Sequence, residues 1–291
     1  MLRSKSQEHM NVLGKAWLYL SMSRPPNGLL MFLAVVVGSY VASRSLPQLL
    51  ELSLSFITAY CLNGSSMVIN DIIDKEVDKI NDPLRPIPSG RISVKAAIIY
   101  GGFLGLAGLF ASCITGIGTL IVAIIFYAIA NAYNVWLKPL GIIGNVAVSL
   151  AVVAPFLYGS VLMLGTISMK VLILGLLAFL ANMGREVIKG MVDIEGDALR
   201  GVASIARIYG SRKAAVIGAG FILTAVILSP LPTFLGMLGW TYLLLVCFAD
   251  IGFVYSAIKI LLDPTHVKAR KVKRELLAWM SIALIAFIIG A

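Results

Sequence analysis

The chain has 291 residues, 59% of them hydrophobic and only 13% charged, with a formal charge of +10. That is about half the charged share of a soluble domain, and apolar runs of ~20 residues recur along the chain. A soluble enzyme is therefore excluded, and the basic residues lie between apolar runs, where membrane topology explains them better than nucleic acid does.

The predicted fold is an all-α membrane protein, a single polytopic domain over residues 1–291. The N-terminus is polar (Arg3, Lys5, Glu8, His9) and the first apolar run is interrupted by Arg24-Pro25-Pro26, so no cleavable signal peptide is expected. Nine spans are predicted, at about 26–43, 48–70, 94–112, 117–136, 141–163, 170–188, 213–231, 234–261 and 275–291. Pro25-Pro26 suits the first turn of the first span. Polar turns at Arg44–Pro47, Thr115–Gly118 and Ser229–Pro232 fall on one side, and loops 71–93, 189–212 and 262–274 on the other. With the N-terminus inside, only Arg44 and Lys170 of the 24 basic residues lie outside. This predicts a multi-pass protein of the cell membrane whose acidic clusters face the cytoplasm. The run Lys268–Arg274 reads as an anchor to anionic membrane lipids. Cys61, Cys113 and Cys247 have no ligand spacing and read as small buried hydrophobes.

Eight of the 14 acidic residues fall within Asp71–Asp82 and Asp193–Asp197. The first cluster ends a run without charge from Leu52 to Ile69. In a continuous helix Asn70, Asp74 and Asp78 share a face. Oxygen ligands so arranged suit a hard cation such as Mg²⁺. Asp193 and Asp197 repeat the spacing 119 residues later, which predicts a duplicated helical unit with two facing metal sites. After the first cluster, Pro83, Pro86 and Pro88 stiffen a loop that carries Arg85 and Arg91. Arginine suits phosphate through planar, bidentate donors, although simple pairing with the aspartates is the plainer reading of either arginine. Arg185, Lys189, Asp193, Asp197 and Arg200 alternate cation and anion, with Lys189, Asp193 and Asp197 again stepping by four. Glu195 falls off that face, and Asp250, alone in the eighth span, reads as a paired polar residue. Tyr133 and Lys138 end the fourth span on the acidic side and could reach a diphosphate; Arg24 and Asn27 sit at the same mouth. A transporter also suits repeats and intramembrane charge, but its charges gather near the bilayer midplane rather than at span ends on one side.

Asn70-Asp71…Asp74…Asp78, the loop R-P-I-P-S-G-R at 85–91 and the pair Asp193…Asp197 resemble the UbiA-type intramembrane prenyltransferases. The resemblance covers nearly the whole chain, with a first motif at 70–93 and a second at 185–201. It implies a bundle of nine transmembrane helices that condenses an isoprenyl diphosphate with a lipid acceptor, using Mg²⁺. Asn70, Asp74 and Asp78 would hold one metal with Asp71 assisting, and Asp193 and Asp197 the other, so that Asp74, Asp78, Asp193 and Asp197 are the catalytic carboxylates. Arg85, Arg91, Lys138 and Lys189 would neutralise the diphosphate, while Arg24, Asn27 and Tyr133 would meet the acceptor. The I-E-G-D form of the second motif is similar to the branch that handles archaeal ether lipids, chlorophyll and homogentisate. With no transit-like leader expected, the reading is geranylgeranyl transfer from its diphosphate to the hydroxyl of geranylgeranylglyceryl phosphate. Chlorophyllide, homogentisate or a quinone precursor are the alternative acceptors. Gly190 stands where the resemblance leads one to expect a further aspartate, which would weaken the second metal site.

Overall fold

A computed structural model describes residues 12–291, and the polar residues Arg3, Lys5, Glu8 and His9 lie outside them. The described residues form helices joined by turns, without a strand. A short helix α1 (Val12–Met22) precedes α2 (Pro25–Ser43), α3 (Leu49–Ile73), α4 (Lys75–Asn81), α5 (Val94–Thr115) and α6 (Ile117–Ala132). Then come α7 (Ile142–Leu164), α8 (Met169–Gly190), α9 (Ile194–Leu199), α10 (Ile205–Tyr209) and α11 (Ser211–Leu228). The chain closes with α12 (Leu231–Phe234), α13 (Trp240–Leu262) and α14 (His266–Gly290).

Among the described residues, eight helices are long and apolar enough to cross a membrane, and they coincide with the first eight predicted spans. The predicted ninth, 275–291, is the apolar end of α14. Residues 266–274, expected in a loop, are helical instead, because the Thr265 hydroxyl caps the Lys268 N–H and a run of lysine and arginine does not break a helix. The eighth span begins at Trp240 rather than near 234, because α12 and the turn at Gly236 (φ 67°) occupy the preceding residues. Cys113 and Cys247 are exposed on the bundle's flank rather than buried; large apolar side chains such as Leu106, Phe110, Ile227 and Leu244 are exposed as well.

α2–α3–α4 is followed by α7–α8–α9, and α9 starts at Ile194, offset from Lys75 by the interval that separates Asp74 from Asp193. α2 and α7 pack closely, and their backbones touch where Gly38 lies on Phe156 and Gly159 lies on Val35, with no room for a Cβ at either. One apolar cluster joins α8, α11, α13 and α14 around Ile188, Ile222, Ile260 and Leu276. A second ties α2 to α14 through Ala34, Val37 and Val41 with Ala286, Phe287 and Ala291.

Candidate active site

The first acidic corner is built at the junction of α3 and α4. Asp74 interrupts the helix (φ −77°, ψ 3°), yet helical bonding passes through it: Asp74 N–H donates to Asn70 O at 2.9 Å and Asp78 N–H to Asp74 O at 2.8 Å. Asn70, Asp74 and Asp78 therefore stay in helical step. Asp71, Asp74 and Asp78 are only 5%, 9% and 3% exposed, and buried carboxylates require cationic partners. Arg85 donates through one nitrogen to Asp71 Oδ1 (3.1 Å) and Asp78 Oδ2 (2.6 Å). Arg24 donates to Asp71 Oδ1 at 2.9 Å, and Lys138 Nζ to Asp74 Oδ2 at 2.5 Å. Burial opposes the Arg85 charge, but Asp71 and Asp78 outweigh it and hold the guanidinium pKa above its usual value. Asn70 donates its amide to Asn134 Oδ1 (3.3 Å), and Asn134 donates to Ser66 O (2.9 Å).

Local sequence explains these placements. The proline-rich loop is pinned by buried Ile87 and Ile92 and closed by Ser89 Oγ on Arg85 O at 2.6 Å, which fixes where Arg85 starts. Arg91 is not brought to the carboxylates: it donates to Ser89 Oγ (2.9 Å) and Leu84 O, bracing its own loop at the surface. Arg24 sits in the left-handed region (φ 49°, ψ 69°), rare for a side-chain-bearing residue and disfavoured before proline. Strain of about 1–3 kcal/mol there accompanies the turn that aims Arg24 at Asp71.

Tyr133–Leu137 is a π-turn in which Lys138 N–H bonds to Tyr133 O. In an α-helix, residue i+5 lies roughly 140° around the axis from residue i; the π-turn brings Tyr133 and Lys138 to one face. Lys138 reaches Asp74, and Tyr133 lies within electrostatic reach of Asp74, Glu186, Lys189 and Asp197. Just beyond, Pro139 O accepts from Ala203 N at 2.9 Å, and Gly141 packs so closely on Ala203 O that no Cβ would fit. This turn joins the two motifs.

The second corner departs from the expected geometry. α8 ends at Gly190, and Val192 N–H bonds to Lys189 O, so Lys189 and Asp193 are separated by a turn rather than sharing a helical face. Only Asp193 and Asp197 keep the helical step, with Asp197 N–H on Asp193 O at 2.7 Å. Lys189 pairs with Glu186 instead (2.9 Å), as does Arg185 (2.7 Å). Glu186 is only 8% exposed. Sequence reasoning passed over it, although its i,i+3 spacing to Lys189 was a usable signal. Among the described residues neither Asp193 nor Asp197 forms a salt bridge. Burial raises the Asp197 pKa, and Asp193 adds to this against Ser204, Lys189 and Arg200. Arg200 lies 4.0 Å from Asp78, which brings an arginine of the second motif to the first corner. Glu195 is exposed, as its position off the face predicts.

Beneath the two corners lies a cavity of about 590 Å³. Asn27, Asn63, Ser66, Tyr133, Asn134, Asn182 and Arg185 line its polar part; Phe126, Phe156, Leu177, Phe253 and Leu284 are among its apolar walls. Asp250 is in the wall, paired with Ser229 Oγ at 2.5 Å, as expected of a paired polar residue. Leu30 on α2 and Leu277 on α14 line the cavity yet are 62% and 46% exposed, marking an opening between two helices that pack together only toward their far ends.

The UbiA prenyltransferase family pattern matches residues 31–285. The chain belongs to the UbiA prenyltransferase family. It is 37% identical over 272 residues to a digeranylgeranylglyceryl phosphate synthase of Archaeoglobus fulgidus, covering 92% of this chain and 93% of that one. A solved structure concerning digeranylgeranylglyceryl phosphate synthase in membranes superposes with a TM-score of 0.83 at 35% identity, covering 95% of this chain and 98% of that one. A UbiA homolog from Archaeoglobus fulgidus bound to GPP and Mg²⁺ shares the fold, with a TM-score of 0.68 at 16% identity over 94% of this chain and 99% of that one. This UbiA-family chain is an integral, multi-pass membrane protein.

Among the described residues no three His, Cys, Asp or Glu side chains converge as a metal cage. Mg²⁺ needs no such cage, since it takes one or two carboxylates together with waters and substrate phosphates. The hard-oxygen donors of the two UbiA motifs fit that requirement. Asn70 spends its amide nitrogen on Asn134 and keeps its carbonyl oxygen as a donor, while Asp193 and Asp197 carry no competing cation among the described residues.

Proposed function

We propose that this chain, acting as one domain, transfers a geranylgeranyl group from geranylgeranyl diphosphate to the free hydroxyl of geranylgeranylglyceryl phosphate in archaeal ether-lipid synthesis, with Mg²⁺. The observation that carries the acceptor is the 37% identity, over more than nine-tenths of both chains, with a digeranylgeranylglyceryl phosphate synthase. In this reading Asn70, Asp74 and Asp78 hold one Mg²⁺, and Asp193 and Asp197 the other. Bound Mg²⁺ supplies charge stabilisation to the departing diphosphate. Arg85 and Lys138 exchange a carboxylate partner for a diphosphate oxygen when substrate arrives, which frees Asp78 and Asp74. Asp71 keeps Arg24 and part of Arg85 in place. Lys189, held by Glu186 close to Asp197 and Tyr133, meets the diphosphate from the other side. The apolar cavity takes a prenyl chain and keeps water from the allylic carbon. Asn27 and Tyr133 line the cavity's polar part, where the acceptor hydroxyl must approach.

The site faces the cytoplasm of the cell membrane, supported by 22 of 24 basic residues on that side in the sequence topology. A cysteine placed at exposed Ser89 is expected to react with impermeant reagent only from inside; labelling from outside overturns the orientation. The activity is tested by offering geranylgeranyl diphosphate and Mg²⁺ with the glyceryl phosphate, homogentisate or chlorophyllide in parallel. Digeranylgeranylglyceryl phosphate, abolished by chelator, is expected. Transfer only to an aromatic or porphyrin-type acceptor would eliminate the assignment.

A further inference from the structure

The reaction brings two anions to one mouth, a diphosphate and the acceptor's phosphate monoester. Of the cations other than Arg185, Lys138 is assigned to the diphosphate, Arg24 is held on Asp71, and Arg207 donates to Val202 O at 2.8 Å. Arg185 differs from all three. It lines the cavity, and its Nε–H is buried with no hydrogen-bond partner among the described residues. Its one ion pair, NH1 on Glu186 Oε1, uses a single one of five N–H donors. An unmatched buried donor is costly unless a ligand satisfies it. Arg185 also lies one helical turn from Lys189 along α8, about 6 Å, on the side away from the aspartates. Lys189, nearer the aspartates, is the α8 cation assigned to the diphosphate, which leaves Arg185 for an anion presented beside the cavity.

We infer that Arg185 is the receptor for the phosphate monoester of the lipid acceptor, an assignment that rests on the proposed activity. Glu186 is a positioning residue here: buried and shared with Lys189, it holds one guanidinium nitrogen of Arg185 and leaves the remaining N–H donors for a ligand. Arg185 thereby reads the acceptor's charged head, and Lys189 remains for the diphosphate.

The test compares steady-state kinetics for geranylgeranylglyceryl phosphate and its dephosphorylated alcohol, first in the wild type. If the wild type makes no product from either, the proposed activity itself fails. If it works but shows equal KM for both, the phosphate is not read and the inference falls alone. The expected preference for the phosphorylated acceptor is about 10- to 100-fold, the worth of a charge-assisted hydrogen bond. Arg185→Gln is expected to erase that preference while leaving KM for geranylgeranyl diphosphate within about twofold, and Arg185→Lys to retain part of it. A variant that keeps the preference, or that weakens the diphosphate equally, overturns the inference. Should Arg185→Gln fail to fold because Glu186 loses a partner, the double variant Arg185→Gln/Glu186→Gln is compared with Glu186→Gln alone, which sets the diphosphate baseline for an unpaired Lys189.

Discussion

The two acidic corners come from one repeated pattern but are held differently. In the first, every buried aspartate has a cation: Arg24 and Arg85 on Asp71, Arg85 on Asp78, Lys138 on Asp74. In the second, Asp193 and Asp197 have no ion pair among the described residues, and the nearby cations converge on Glu186 instead. The 119-residue offset explains part of this, since it places Gly190 where the first corner has Asp71, and Ser204 where it has Arg85. The second corner thus keeps the spacing of the carboxylates and has different partners. The first corner carries its own countercharge; the second leaves its carboxylates to whatever cation binds.

The largest expected effect tests whether the corners nevertheless act together. Asp74→Ala and Asp193→Ala should each lower turnover by ~10²–10³-fold, the loss seen when one group that stabilises transition-state charge is removed. A single-turnover assay at saturating Mg²⁺ decides this, and near-wild-type rates in either variant would end the two-site reading. Next in size, Arg85→Ala leaves Asp71 and Asp78 short of a partner. Because Arg85 is 31% exposed, the cost should be about 2–3 kcal/mol, below that of a fully buried pair. Arg91→Ala, which touches only its own loop, should stay within about 0.5 kcal/mol. Equal losses in thermal or urea melts of the two variants would remove the distinction between the arginines.

A smaller change should make the second corner more like the first. An added Cβ at Gly190 would meet Ser204 Cβ at 3.3 Å and lie 4.0 Å from Asp197 Oδ2, so Gly190→Asp sets a third carboxylate beside the pair. The Mg²⁺ concentration for half-maximal activity should fall by roughly two- to fivefold as ligand charge rises, whereas Gly190→Ala reports the steric effect alone. An unchanged Mg²⁺ requirement would show that Gly190 does not weaken this site. Smallest of all, Glu195→Gln should alter turnover less than about twofold, in keeping with a solvated side chain; a larger drop would place Glu195 among the ligands.

Much of this arrangement could be read from sequence. Eight spans follow from hydropathy, and the first corner from a helical step that survives the irregular residue at Asp74. The second corner was misread because residues four apart share a face only while the helix lasts, and α8 stops at Gly190. α1 escaped notice because its apolar run is short and ends at Arg24-Pro25. Arg91 was placed with Arg85 on proximity in the chain, yet the direction in which a loop turns its side chains is set by bonds such as Arg91 to Ser89. Glu186 and the amides Asn63, Asn134 and Asn182 were missed because isolated polar residues in apolar helices acquire meaning only once the cavity they line is known. The π-turn was also hidden, since an extra residue in a helix leaves no compositional mark.

The gap between α2 and α14 bears on which chains the enzyme can discriminate. An enclosed pocket measures a hydrocarbon by where its last carbon strikes the wall. A chamber of about 590 Å³ is the size of a site for one ligand, whereas the proposed reaction joins two twenty-carbon tails. With Leu30 and Leu277 at an open flank, a tail can leave through the side into hydrocarbon that is chemically the same as the chamber's lining. There is then no wall at a fixed depth to act as a ruler. Under the proposed activity, selection falls on the polar head and the allylic end, and the enzyme that makes the diphosphate sets the length of the chain transferred.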